Sequence, residues 1–222
     1  MLNHGHPKLV VPAPPLSLPE LLTRFTMLCP YQPEPEHPYS DATPLKPAAV
    51  LIPIIARGDE LSVLLTRRSR QLRHHPGQIS FPGGRQDPED PDLAATALRE
   101  TREELGIPAC CIQLLGVLPE HITVSHYCIV PYLGLLQPDY PLQPAVDEVE
   151  EAFELPLAPL LDPANYGSWT ITRHQRPHSI YGITLHDRLI WGATARILRV
   201  FARQIKTNIL ENDCLRAAQQ NY

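Results

Sequence analysis

Four ionisable side chains, Arg99, Glu100, Glu103 and Glu104, crowd the end of the stretch LAATALRETREEL (93–105). Residues three and four apart share a helix face, so Glu100 projects toward the side that carries Glu103 and Glu104. Like charges at that spacing repel by about 0.2–0.5 kcal/mol per pair on an exposed helix. A divalent cation reverses that balance. Mg²⁺ and Mn²⁺ take oxygen ligands and keep several waters, which leaves positions for phosphate oxygens. Arg99, four residues before Glu103, is placed to hold that carboxylate in one rotamer. The plainer alternative is a solvated acidic face laced with Arg99 and Arg102. The preceding SFPGG (80–84) favours the chemical reading. Gly83 and Gly84 let backbone approach a ligand closely, and they let a carbonyl point at a cation.

A basic segment stands just ahead of the glycines. LLTRRSRQLRHHPGQISFPGG (64–84) carries Arg67, Arg68, Arg70, Arg73, His74 and His75. Guanidinium groups recognise phosphate oxygens in bidentate fashion, so several of them beside a cation site suit a substrate with more than one phosphate. On charge alone an exposed basic loop, or a minor nucleic-acid patch, explains them better. The adjacent histidines lack a third partner in sequence and are not read as transition-metal ligands. A second acidic run, Asp147-Glu148-Val149-Glu150-Glu151, reads either as a solvated loop or as a further source of carboxylates.

The elements that must position these groups can be drawn from local pattern. AAVLIPIIA (48–56) and LSVLLT (61–66) read as a hairpin across the turn Arg57–Glu60, and ISFPGG (79–84) as a short strand ending in a glycine pair. The helix 93–105 takes Asp90 or Asp92 as its cap, with Pro91 in the first turn, and ends at Gly106. Strands follow at 111–120, 127–136 and near 149–155, with more strand in 166–190. A second long helix is expected over 191–205, apolar at Ala195, Leu198 and Ala202. Ser17 and Glu20 form a capping box for a short helix reaching about Leu28, set between Pro-rich connectors. Strands around two long helices predict a mixed α/β sandwich rather than a doubly wound sheet. The expected divisions are an N-terminal extension (1–47), one catalytic domain (48–205) and a C-terminal tail (206–222).

Composition narrows the function. The 222-residue chain is 43% hydrophobic and 19% charged, enough for a packed core. A net charge of -5 argues against a protein that lives on a nucleic-acid backbone. Five cysteines without a CxxC pair argue against a disulfide framework or zinc ribbon and predict reduced thiols in the cytoplasm. Cys110 and Cys111, which follow the helix stop, are expected to be structural. The opening residues show no secretory pattern, and no apolar run is long enough to span a membrane. The sequence leaves room for a homodimer.

Taken together, Gly84–Ile107 resembles the Nudix box, the Gly-loop-REx2EExGU signature, through Arg99, Glu100, Glu103, Glu104, Gly106 and Ile107. Thr101 stands where an aliphatic residue is usual, and the loop is one residue longer than the common box, with Asp90 near its midpoint acid. The segment ahead resembles the coenzyme A diphosphatase branch of that family through Leu64, Leu65, Thr66, Arg68, Ser69, Arg73, Gly77, Phe81, Pro82, Gly83 and Gly84. The likeness covers about residues 48–205. It implies an α/β/α Nudix sandwich with a mixed sheet, Mg²⁺ or Mn²⁺ held by Glu100, Glu103 and Glu104 with the Gly84 carbonyl, and cleavage of coenzyme A or a derivative. It also implies that Glu104 or Glu148 takes a proton from the attacking water, and that Arg68 and Arg73 with Gly83 and Gly84 bind substrate. Another nucleoside-diphosphate derivative, such as a dinucleotide or nucleotide sugar, is the alternative substrate. A non-enzymatic Nudix sensor is disfavoured because every box glutamate is present.

Overall fold

In the computed structural model the described residues are 16–26, 44–173 and 176–219. Helix α1 (Leu18–Thr26) leads into β1 (Lys46–Arg57) and β2 (Glu60–Arg68), which form the expected hairpin with Ile54 facing Val63. Then come β3 (Ile79–Ser80), β4 (Gly83–Arg85), α2 (Leu93–Leu105), β5 (Ile112–Val117), β6 (His121–Ile122), β7 (Tyr127–Leu136) and β8 (Val149–Pro156). These strands make one mixed sheet, in which β1 pairs in parallel with β7 and antiparallel with β2 and β4. A short helix α3 (Leu157–Leu160) leads to a separate antiparallel sheet of β9 (Gly167–Arg173), β10 (Arg176–Leu185) and β11 (Arg188–Trp191), and α4 (Ala193–Gln219) closes the described chain. No helix among the described residues is long and apolar enough to cross a membrane.

Alternation along the strands gives the main sheet two apolar faces. Ala49, Leu51, Ile55, Leu64 and Leu136 face α2, where they meet Ala97 and Leu105. Ile52, Ile54, Val63, Leu65 and Leu133 face the other way, into a core shared with α1 and α4. The result is the expected α/β/α sandwich. Ala195, Leu198 and Ala202 on α4 are buried as the pattern predicts.

Several boundaries differ from the sequence reading. Asp92 alone caps α2, its Oδ1 accepting the Ala95 N–H at 2.8 Å, so Pro91 precedes the cap instead of occupying the first turn. Gly106 ends the helix at φ 70°, as expected. Trp191 belongs to β11, because Gly192 turns left-handed (φ 70°) before α4 starts. The helix then runs on to Gln219, past the helix end expected at 205. Cys111 sits in a 3-10 turn with β5 starting after it, and β5 stops at Val117. The short helix α1 packs against the end of the domain. Leu21 and Phe25 are buried, and Phe25 meets Phe201 of α4 edge to face with 6.1 Å between ring centroids. The end of that helix, expected near Leu28, lies outside the described residues.

Candidate active site

The glycine pair and the acidic helix are built against each other. β4 lies beside the start of β1, Gly83 opposite Val50 and Gly84 opposite Ala49. Gly83 has φ 151°, and a Cβ there would stand 2.4 Å from the Ala49 carbonyl oxygen. A Cβ on Gly84 would stand 2.4 Å from Glu100 Oε1. Glycine is therefore required twice, once by backbone packing and once so that the Glu100 carboxylate can rest on the strand. The Gly83 N–H donates to the Glu104 carboxylate.

Among the described acids Glu104 has the carboxyl raised furthest. It is 4% exposed, and burial, together with the neighbouring charge of Glu100, pushes its carboxyl up to about 8. Arg68 opposes that rise, and Glu148 adds to it. Glu100 is likewise raised by burial, with Arg99 pulling it down and the charges of Glu103 and Glu148 pushing it up. The fold thus brings together Glu100, Glu104, Glu148 and Arg68, drawn from α2, the loop before β8 and the end of β2. Buried carboxylates that repel one another suit a hard cation with oxygen ligands, which is the fit that Mg²⁺ or Mn²⁺ would make.

Arg99 organises the outer side of this cluster. Its Nη1 lies 2.8 Å from Glu103 Oε2 and 3.0 Å from Glu100 Oε1, so the ion pair suggested by the four-residue spacing is present and reaches a second acid. Nη2 donates to Asp90 Oδ2 at 3.0 Å and to the Arg85 carbonyl at 3.1 Å. Asp90, held by Arg99 down to about 2, also receives the Asp87 N–H and the Thr96 hydroxyl. Asp90 thus anchors the loop to α2, and its sequence signal was an acid nine positions before Arg99. Glu103 stays on the solvent side of α2, its side chain 51% exposed. Among the described residues no three His, Cys, Asp or Glu side chains close into a ready-made metal cage, and Arg99 supplies the counter-charge to Glu100 and Glu103. Thr101, the departure from the aliphatic pattern, is fully buried and donates its hydroxyl to the Ala97 carbonyl at 2.7 Å.

The basic segment divides. Arg68 ends β2 inside the cluster, while Arg73 lies exposed in the loop between β2 and β3 and has no hydrogen-bond or ionic partner among the described residues. Arg67 and Arg70 are engaged by Glu151 and Glu150 at 3.4 and 3.3 Å. His75 takes a left-handed backbone in the same loop.

Comparison with known proteins places this arrangement. A profile of the NUDIX domain matches residues 45–175. The chain is 39% identical over 192 residues to a protein named uncharacterized Nudix hydrolase NudL from Shigella flexneri serotype 5b (strain 8401), covering 86% of this chain and 95% of that one. It is 40% identical over 190 residues to the protein of the same name from Yersinia pestis (strain Pestoides F), covering 85% and 94%. A crystal structure of a MutT/nudix family protein from Enterococcus faecalis aligns with 86% of this chain and 70% of its own, at 19% identity and a TM-score of 0.46.

Proposed function

The chain belongs to the Nudix hydrolase family, and from that premise we propose that it hydrolyses the diphosphate of coenzyme A or a derivative, giving 4′-phosphopantetheine (or its acyl form) and adenosine 3′,5′-bisphosphate. One observation carries the reading. The segment 64–84, whose pattern resembles the coenzyme A branch, reaches the glutamates from both of its ends. Its Arg68 acts on Glu104, its Gly83 and Gly84 receive Glu104 and Glu100, and its Arg73 keeps a guanidinium free of protein partners.

Glu100, Glu103 and Glu104, with the Gly84 carbonyl, would hold Mg²⁺ or Mn²⁺, and Arg99 would fix the outer two acids. When bound, such a cation polarises the phosphoryl oxygens and lowers the pKa of a coordinated water. Glu104 or Glu148 accepts the proton of the attacking water. Arg68 and Arg73 orient the phosphate groups for in-line displacement, which needs little covalent help from the protein. The described cysteines Cys110, Cys111 and Cys128 are free thiols, which supports a reducing, cytoplasmic setting.

Mass spectrometry of products from coenzyme A, NADH, ADP-ribose and diadenosine polyphosphates, with Mg²⁺ or Mn²⁺, tests the substrate. Release of 4′-phosphopantetheine with adenosine 3′,5′-bisphosphate is expected. Coenzyme A left intact while another diphosphate is cut would move the protein to the other substrate class.

A further inference from the structure

Glu148 is attached to the site by backbone on one side and by a clamp on the other. Its carbonyl accepts the Ser69 N–H at 2.8 Å, its N–H donates to Ala145 O at 2.9 Å, and Ala145 N–H donates to Glu104 O at 2.9 Å. Immediately after it, β8 enters the sheet irregularly. Arg67 faces Glu151 but Arg68 faces Val149, so Glu150 is an extra residue in the ladder. Bulges of this kind re-aim side chains beside active sites. Here the bulge turns Val149 into the core with Leu64 and Leu105, and Glu148 is the residue immediately before it, its carbonyl bonded to the Ser69 N–H.

The bulge is gripped from a different sheet. Arg188, the first residue of β11, makes a two-pronged bond to Glu151 at 2.7 and 2.6 Å, joined by Arg67 Nε at 3.4 Å. The Arg188 guanidinium also lies 3.8 Å from the centroid of the Phe153 ring. Fork-to-carboxylate pairs fix geometry as well as charge. Delivering Arg188 there takes a tight turn in which His186 and Asp187 both adopt positive φ, 49° and 60°. Side chains with a Cβ rarely adopt that region, so the turn gains from an anchor at its exit.

We propose that Arg188 is a positioning residue for the hydrolysis: through Glu151 it locks the β8 bulge and so keeps Glu148 facing Glu100 and Glu104. The inference rests on the reading above that Glu148 serves the reaction. It does not depend on which diphosphate is the substrate, and any substrate the wild type hydrolyses serves the assay.

The test is a double-mutant cycle of Arg188→Gln and Glu148→Gln, followed at enzyme concentrations high enough to measure the slower proteins. Arg188→Gln alone should lower kcat about five- to tenfold and leave KM within about twofold. In the Glu148→Gln background it should change kcat by less than about twofold, because the side chain it positions is gone. Equal losses in both backgrounds, or a rise in KM with kcat unchanged, would overturn the clamp. Should Arg188→Gln unfold, Arg188→Lys, which keeps the charge but not the fork, must show a smaller kcat loss that again disappears without Glu148. If Glu148→Gln itself costs nothing, the site reading beneath the proposal has failed, which is a different result from additive losses.

Discussion

Removing the Glu104 charge should make the metal-free protein more stable at high pH while it destroys the catalyst. The carboxyl sits at about 8 in the folded protein against an ordinary 4.5, because burial and Glu100 both disfavour its ionised form. A folded-state pKa above the unfolded one means that the native protein keeps a proton the unfolded chain has lost. Metal-free wild type therefore loses stability as pH rises through the interval from 4.5 to 8, and the full cost is present above it. At 1.36 kcal/mol per pH unit the interval corresponds to about 3–5 kcal/mol. Glu104→Gln keeps the shape and cannot ionise. Thermal unfolding of both proteins in chelator, from pH 5 to pH 9, reports on this group together with the carboxylates coupled to it, since titrations remote from Glu104 cancel in the difference. At pH 9 the variant should unfold about 10 °C higher relative to wild type than it does at pH 5, taking 2–4 °C per kcal/mol for a chain of this size. Mg²⁺ or Mn²⁺ should narrow the gap by replacing the proton, with measurable proton release near pH 7. A difference that stays flat with pH would refute the burial argument, and with it the account of why a cation belongs there.

Glu100→Gln should lower kcat at least about tenfold, equivalent to 1.4 kcal/mol of barrier, with an unchanged circular dichroism spectrum; near-normal turnover would remove it from the site. Gly84→Ala places a methyl where Glu100 Oε1 now rests, so kcat should again fall at least about tenfold with only a small change in melting temperature, because a flexible side chain absorbs the clash. Phe25→Ala should cost about 3–5 kcal/mol of stability by chemical denaturation, since Phe25 fills the junction of α1 and α4, and a loss under 1 kcal/mol would mean that α1 is dispensable. Burial and the Glu120 carboxylate raise the Cys128 thiol to about 12. Native alkylation at pH 8 should therefore reach the exposed Cys110 before Cys128 with activity unchanged, and inactivation in step with Cys110 modification would contradict its structural assignment.

What could be read from the sequence was local. The limits of α2 follow from Asp92 and Gly106, whose capping chemistry needs no distant partner, and β7 shows its length because all of it but Pro131 and Gly134 is hydrophobic. The Arg99–Glu103 pair follows from spacing alone. Where the outcome depended on remote partners the pattern was silent. β4 is three residues with two glycines and exists because β1 offers it hydrogen bonds. The docking of α1 depends on Phe201, far along the chain. Trp191 has the look of a helix start until Gly192 breaks the run. The Glu151–Arg188 clamp joins a strand of one sheet to a strand of the other, and no periodicity announces it.

The parallel pairing of β1 with β7 sets the order of events in folding. Lys46 faces Tyr127 and Ile55 faces Leu136, so each rung closes a loop of about 80 residues before it returns any stabilisation. During synthesis the β1–β2 hairpin and α2 can form early, but the apolar strands they carry have no central neighbour until residue 136 has left the ribosome. The face toward α4 waits longer still, since Phe201 must be made before Phe25 has its partner. For that interval the β7-facing side of Leu51–Ile55 is an open, strongly apolar edge, the kind of segment on which chains associate with one another instead of with themselves. Refolding should accordingly be slow for a domain of this size, and its yield should fall as protein concentration rises.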